Sequence, residues 1–229
     1  MQVEVLGSPD AVAARAARVV AEAAREAVAE RGRFVFAFSG GRTPGAMLRA
    51  LAAEDVPWSG VRIVQVDERV APAGHADRNL TLLEANLLKS APMDADQVYP
   101  MPVEAPDLDV GARDYERLLV GLAGSPPELD LVHLGLGTDG HAASLFPGDP
   151  ALACEDADVT MSGVHAGRRR MTLTLPILNR ARRLLWVVTG EAKAVMLRRL
   201  QAGDRSIPAG RLRADRVQLL ADVAAARTR

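Results

Sequence analysis

The sequence predicts an α/β protein: one domain built on a mostly parallel sheet, with helices on both faces in the Rossmann-like manner. Three observations predict it. Short apolar runs alternate with longer amphipathic ones along almost the whole chain. The 229 residues are enough for one generous core and too few for two. The residues with the most chemistry to offer stand just behind apolar runs, where open parallel sheets bind their ligands.

Taken in order, Val3–Leu6 reads as a short strand, and Ser8-Pro9-Asp10 then opens a helix with Ser8 as its cap and Gly32 as its stop. Between them Val12, Ala16, Val19, Ala23 and Ala27 share one face. "RFVFAF" (33–38) is a buried strand, and "TPGAMLRALAAE" (43–54) a helix capped by Thr43 with Pro44 in first place. "VRIVQV" (61–66) is the next strand, followed by a polar loop to about Asp77 and a helix through "NLTLLEANLL". Residues 109–123 read as helical and "LDLVHLGLG" as a strand. "RMTLTL" and "LLWVV" (184–188) are strands, "EAKAVMLRRLQ" a helix, and "RVQLL" (216–220) a last strand before a short terminal helix. Neither an internal repeat nor a low-complexity linker interrupts the pattern.

Composition narrows the function classes. Net charge is −1, and no basic stripe interleaved with aromatics appears, so no nucleic-acid partner is expected. The single cysteine, Cys154, excludes an internal disulfide and a multi-thiolate metal site. No apolar run approaches the ~18 residues that span a bilayer. The Ala/Arg-rich opening interleaves Glu22, Glu26 and Glu30 with its arginines, unlike an acid-poor transit peptide, so a cytoplasmic protein without a membrane partner is expected. The sequence does not report the oligomeric state; a monomer is compatible with it.

Four clusters follow strands. In "SGGRTP" (39–44), Gly40 and Gly41 let backbone N–H groups approach an anion, and Ser39 and Thr43 add hydroxyls at a positive helix end. The same residues also serve as a plain strand-to-helix turn. In "VDER", Asp67, Glu68 and Arg69 suit acid–base work or oxyanion stabilisation, with a surface ion pair as the plainer reading. In "TGEAK", Lys193 opens a helix whose macrodipole disfavours a cation, a conflict that a bound anion removes, as would pairing with Glu191 or Asp204.

The fourth cluster, "GLGTDG" (135–140), has the written form of a dinucleotide fingerprint and lacks its context. The helix that should follow is cut short at Pro147, and no clear βαβ unit surrounds it. Its value lies in Asp139-Gly140-His141, where Gly140 allows a bend that aims a near-neutral base into the crevice. Of the other histidines, His133 alternates into the core, while His75 and His165 read as solvated. Ser144 has no nucleophile elbow around it, and a capping or structural role suits it better.

"SGGRTP", "DER" with "HADRN", "LGLGTDGHAASLFPGDPAL", "RMTLTLPILNRAR" and "VVTGEAKAVML" together resemble the 6-phosphogluconolactonase family, in order and spacing, over about residues 34–220. That family shares its fold with the glucosamine-6-phosphate isomerases/deaminases. The resemblance implies hydrolysis of 6-phospho-D-glucono-1,5-lactone in the oxidative pentose phosphate pathway, with a phosphorylated sugar lactone as partner and no metal or organic cofactor. It implies His141 as the base that activates water, Asp139 as the group that orients it, and Asp67 beside them. Arg69 would face the ring carbonyl or the developing oxyanion. Ser39, Gly40, Gly41 and Thr43, with Arg170 and Lys193, would hold the phosphate, Asn79 contributing to the substrate site. Arg168 or Arg169 could replace Arg170 in that contact. One departure is Arg78 before Asn79, where relatives usually carry a small residue, in a loop expected at the pocket entrance.

Two rival readings remain on the sequence. In the deaminases the D-G-H segment is followed by N-E-P, whose glutamate helps open the sugar ring; here the corresponding stretch is "SLFP". The other rival is a non-catalytic sugar-phosphate sensor. Repressors of that kind carry a DNA-binding segment at the amino end, whereas residues 1–32 offer one long helix.

Overall fold

The computed structural model describes residues 1–227. In chain order the elements are β1 (Val3–Leu6), α1 (Pro9–Arg31), β2 (Phe34–Phe38), α2 (Arg42–Leu51), β3 (Val61–Gln65), β4 (Asp67–Arg69), α3 (Asn79–Leu83), β5 (Val98–Tyr99), α4 (Leu108–Ala123), β6 (Leu131–Leu134), β7 (Val159–Met161), β8 (Arg170–Leu173), α5 (Leu175–Arg180), β9 (Leu184–Val188), α6 (Ala194–Gln201) and β10 (Val217–Asp222). Seven strands form a parallel sheet in the order β1-β10-β9-β6-β2-β3-β5. From β2 the chain builds outward through β3 and β5, then returns to β2's other side and builds outward through β6, β9 and β10. The reversal lies between β2 and β6, so their carboxyl ends open the crevice in which such sheets bind ligands.

Local chemistry explains the framework. The Ser8 hydroxyl accepts the Ala11 N–H at the start of α1, and Gly32 ends it at φ +73°, a left-handed conformation that glycine adopts without penalty. The Ala-rich face of α1 packs with Phe34, Phe36 and Phe38 on one side of the sheet. Trp186, Leu134, Val188 and Leu197 belong to the core on the other side. No helix among the described residues is long and apolar enough to cross a membrane.

Three local expectations are corrected. The α2 helix starts at Arg42 with Gly41 (φ +136°) in the cap position and no side-chain cap. Thr43 therefore lies inside the first turn, and its hydroxyl bonds to the Thr189 hydroxyl at 2.6 Å. Asp67–Arg69, expected only as the cluster behind the 61–66 strand, is itself a strand. It turns away as β4 and pairs antiparallel with β8, which pairs with β7 in a second sheet of order β4-β8-β7. The terminal helix does not form: residues 223–226 are turns, and the last two positions lie outside the described residues.

Strand alternation in β4 separates the three residues of "DER". Glu68 is fully buried, and its carboxylate accepts from the backbone N–H groups of Arg69, Asn79 and Leu80 and from the Gln65 amide. Arg78, 3 % exposed, pairs with it at 3.0 Å and donates to the Ala71 carbonyl. The loop of Arg78 borders the pocket as expected, but its guanidinium is spent on Glu68 rather than offered to a ligand. Arg78→Met should cost toward the lower end of about 3–5 kcal/mol, because N–H donors still face the stranded carboxylate. Urea unfolding checks this; a loss under about 1 kcal/mol would contradict it.

Candidate active site

The loop after β6 shows what its glycines do. Gly137 donates to the His141 carbonyl at 2.8 Å, folding the loop back on itself, and Gly140 takes φ +86°. A Cβ on Gly137 would fall 2.1 Å from His141 Nδ1 and 2.4 Å from Asp139 Oδ1. The second glycine of the false dinucleotide fingerprint is thus the space in which an Asp–His pair sits. Asp139 Oδ1 accepts from the His141 backbone N–H at 3.1 Å and faces ring Nδ1 at 2.6 Å. A carboxylate only accepts, so Nδ1 carries the hydrogen and Nε2 keeps its lone pair.

Burial pushes the His141 ring below its ordinary value near 6.5, against Asp139 and Asp67, which favour its protonated form. Burial pushes Asp139 the other way, but its bonds from the His141 backbone and ring prevail and hold the carboxyl below its usual value. The pair is consequently a neutral imidazole on an ionised carboxylate near neutral pH.

Asp67, only 4 % exposed, ties this loop to two others. Its Oδ2 accepts the Ser144 hydroxyl at 2.6 Å; its Oδ1 accepts the Ser39 hydroxyl at 3.4 Å and the Asn79 amide at 3.3 Å. Asn79 donates also to the Asp67 carbonyl at 2.7 Å and accepts from Arg69 Nη1. Gly40 packs on that amide so closely that a Cβ would lie 1.8 Å from Asn79 Oδ1. Below Ser39, His133 is fully buried, burial lowering it to about 4, and its Nδ1 accepts the Ser39 N–H at 3.4 Å.

A cavity of about 180 Å³ is lined by Ser39, Gly40, Asp67, Arg69, Asn79, His141, Arg170 and Lys193. Asp139 stands behind His141, Gly41 opens onto an adjoining cavity of about 390 Å³, and Thr43 lines neither. Arg69 and Arg170 are register partners across β4 and β8. Like charges directly opposite on a sheet repel, and both guanidinium groups border the cavity. Burial and Arg69 both push Arg170 below its ordinary value, and its Nε is buried without a hydrogen-bond partner. Burial likewise lowers Lys193, against Asp139. An anion in the cavity would give Arg170 its missing partner and face Lys193 and Arg69, the last already held by Asn79 and the Asp77 carbonyl.

Of the neighbours of Arg170, Arg168 pairs with Asp77 at 2.7 Å and lines the adjoining cavity, and Arg169 is exposed and lines neither. Asp204 pairs with Arg199, not with Lys193. A larger cavity, about 640 Å³, lies at the amino ends of β6, β9 and β10. Its rim carries mutual ion pairs, Arg31–Asp130 and Arg183–Glu26 among them.

Sequence reasoning missed an aromatic stack beside the site. The ring of Phe146 lies 4.4 Å from that of His141 and 3.7 Å from that of His165, centroid to centroid. His165, expected in solvent, is held by Asp149 at 2.6 Å. Gly137→Ala should leave the fold intact, since the clash is with two side chains, yet separate Asp139 from His141. Loss of most turnover with an unchanged far-UV spectrum is the expected outcome, and full turnover would contradict it.

The chain matches the family "Glucosamine-6-phosphate isomerases/6-phosphogluconolactonase" over residues 7–221. It is 38 % identical to a 6-phosphogluconolactonase of Synechocystis sp. over 196 residues, 84 % of this chain and 81 % of the relative. The solved structure of 6-phosphogluconolactonase from Trypanosoma brucei superposes with a TM-score of 0.86 at 25 % identity, covering 98 % of this chain and 97 % of that one. A monomeric glucosamine-6-phosphate deaminase also superposes at 0.86, with 20 % identity and 99 % of both chains covered. The likeness to the deaminase is one of fold alone, so the two activities have to be told apart at the site. The chain belongs to the glucosamine-6-phosphate isomerase/6-phosphogluconolactonase family.

Proposed function

We propose that this protein is a lactonase that hydrolyses 6-phospho-D-glucono-1,5-lactone to 6-phospho-D-gluconate, acting in the cytoplasm on the oxidative pentose phosphate pathway. One observation carries the choice over the deaminase: Phe146 lies against the His141 ring, in the segment where deaminases carry the glutamate of N-E-P. A ring-opening proton shuttle needs that carboxylate. Lactone hydrolysis needs a base, an oxyanion partner and a grip on the phosphate.

His141 Nε2 takes a proton from water while the water oxygen bonds to the lactone carbonyl carbon. The carbonyl electrons move onto oxygen, where Arg69 stabilises the developing charge. Collapse of this intermediate breaks the bond to the ring oxygen, which leaves with the proton from His141, and the hydroxy acid remains. Asp139 stabilises the imidazolium between the two steps and keeps Nδ1 protonated. Arg170 and Lys193, with Ser39 and the backbone at Gly40 and Gly41, hold the phosphate. Thr43, whose hydroxyl meets that of Thr189 and which lines neither cavity, orders the turn on this reading. Asp67 accepts on both oxygens, which supports a role in arranging Ser39, Asn79 and Ser144.

Freshly generated lactone in a pH-stat should be hydrolysed far above its spontaneous rate; no acceleration would favour the sensor reading. His141→Ala should lose about 10²–10⁴ in kcat while 6-phosphogluconate still binds, and unchanged turnover would remove His141 from the mechanism. Lys193→Ala should raise KM for the phosphorylated lactone roughly tenfold, about 1.4 kcal/mol, and spare the unphosphorylated one. Equal loss on both would show that Lys193 does not read the phosphate.

A further inference from the structure

We propose that Phe146, backed by the His165–Asp149 pair, is a positioning residue that sets the plane of the His141 imidazole and excludes water from its face. The inference rests on the reading of His141 as the base. It concerns side chains to which the lactone reaction as described gives no task.

The geometry is that of a built stack. Phe146 is 6 % exposed. His165 covers it nearly parallel, at 17° and 3.7 Å, and His141 leans on it at 42° and 4.4 Å. The Arg170 guanidinium carbon stands 5.1 Å from the same ring's centroid. The outer member is anchored in turn. Asp149 Oδ2 faces His165 Nε2 at 2.6 Å and accepts the Gly163 N–H at 2.9 Å, while Oδ1 accepts from Ala151 at 2.9 Å. A buried ring stacked on an anchored partner gives His141 one wall to follow.

The charges around His141 show why a dry aromatic wall matters. Asp139 on its own loop and Asp67 on β4 favour the protonated ring, while Arg170 on β8 opposes it. Lys193, before α6, lines the same cavity. With two carboxylates near, an exposed histidine would titrate upward and lose its base form. Burial outweighs them, and Phe146 is the aromatic side chain that supplies a flat apolar contact. Arg170 already stands against the ring on which His141 leans, so protonating His141 would bring a second positive charge near the first. The exclusion of water by Phe146 and the charge of Arg170 therefore act together for the neutral imidazole.

The test follows the ring C–H signals of His141 by ¹H–¹³C NMR titration, beside the pH dependence of kcat/KM. In Phe146→Ala, water reaches the ring, so the His141 titration should move up by roughly half a unit, within the spread of about one unit found among folded histidines. The acid limb of kcat/KM should move with it. Phe146→Leu, apolar but not flat, should keep the titration near the wild-type value and lose roughly tenfold in kcat through misorientation. An unmoved titration and acid limb in folded Phe146→Ala would overturn the proposal. Should that variant not fold, His165→Ala carries the test: a several-fold loss of kcat with an upward shift supports it, and wild-type behaviour in both overturns it. If the NMR titration moves while the rate profile does not, the stack acts on His141 as proposed and His141 is not the base.

Discussion

The site depends on one buried carboxylate. Asp67 stands where the chain leaves the parallel sheet for the small antiparallel one, and its oxygens accept from three loops at once: Ser39 after β2, Asn79 at the start of α3, and Ser144 beyond β6. A carboxylate at 4 % exposure is tolerable only with such donors in place. Satisfying it therefore fixes the three loops relative to each other. Two residues on, Arg69 faces the same cavity, while Glu68 between them points back and is neutralised by Arg78. Period-two alternation converts three adjacent charges into a support on one face and a site on the other.

The cavity gathers three cations at one end of the sheet. Arg69 and Arg170 oppose each other across two strands, the Arg170 Nε lacks a partner, and Lys193 is partly desolvated. Folding alone gains nothing from this. On the proposed reading a phosphorylated substrate would relieve it at the moment of binding, turning like-charge repulsion into affinity for anions. Beside this cationic region, burial holds the His141 ring below its ordinary value against Asp139 and Asp67, which favour its protonated form, and we assign Phe146 a share of that burial.

Much of this was legible in the residues. The alternation of elements, the capped first helix and the crevice at strand ends follow from periodicity, caps and glycine placement, and the bend at Gly140 that brings His141 to the crevice follows from the same glycines. The failures share a physical cause. Three residues, Asp67–Arg69, are too few to announce a strand, and an antiparallel partner about a hundred residues away leaves no local trace. Thr43 looked like a cap because threonine before proline usually is one; the positive φ of Gly41 moved the helix start and freed its hydroxyl for Thr189. His165 looked solvated beside its arginines, since neither Phe146 nor Asp149 is near it in sequence.

The most direct test is a crystal structure with 6-phosphogluconate bound. The account predicts the new carboxylate within hydrogen-bond reach of His141 Nε2 and Arg69, with the phosphate against Arg170, Lys193 and the Gly40 backbone. A product bound the other way round, phosphate on Arg69 and His141 and carboxylate at Lys193, would contradict it.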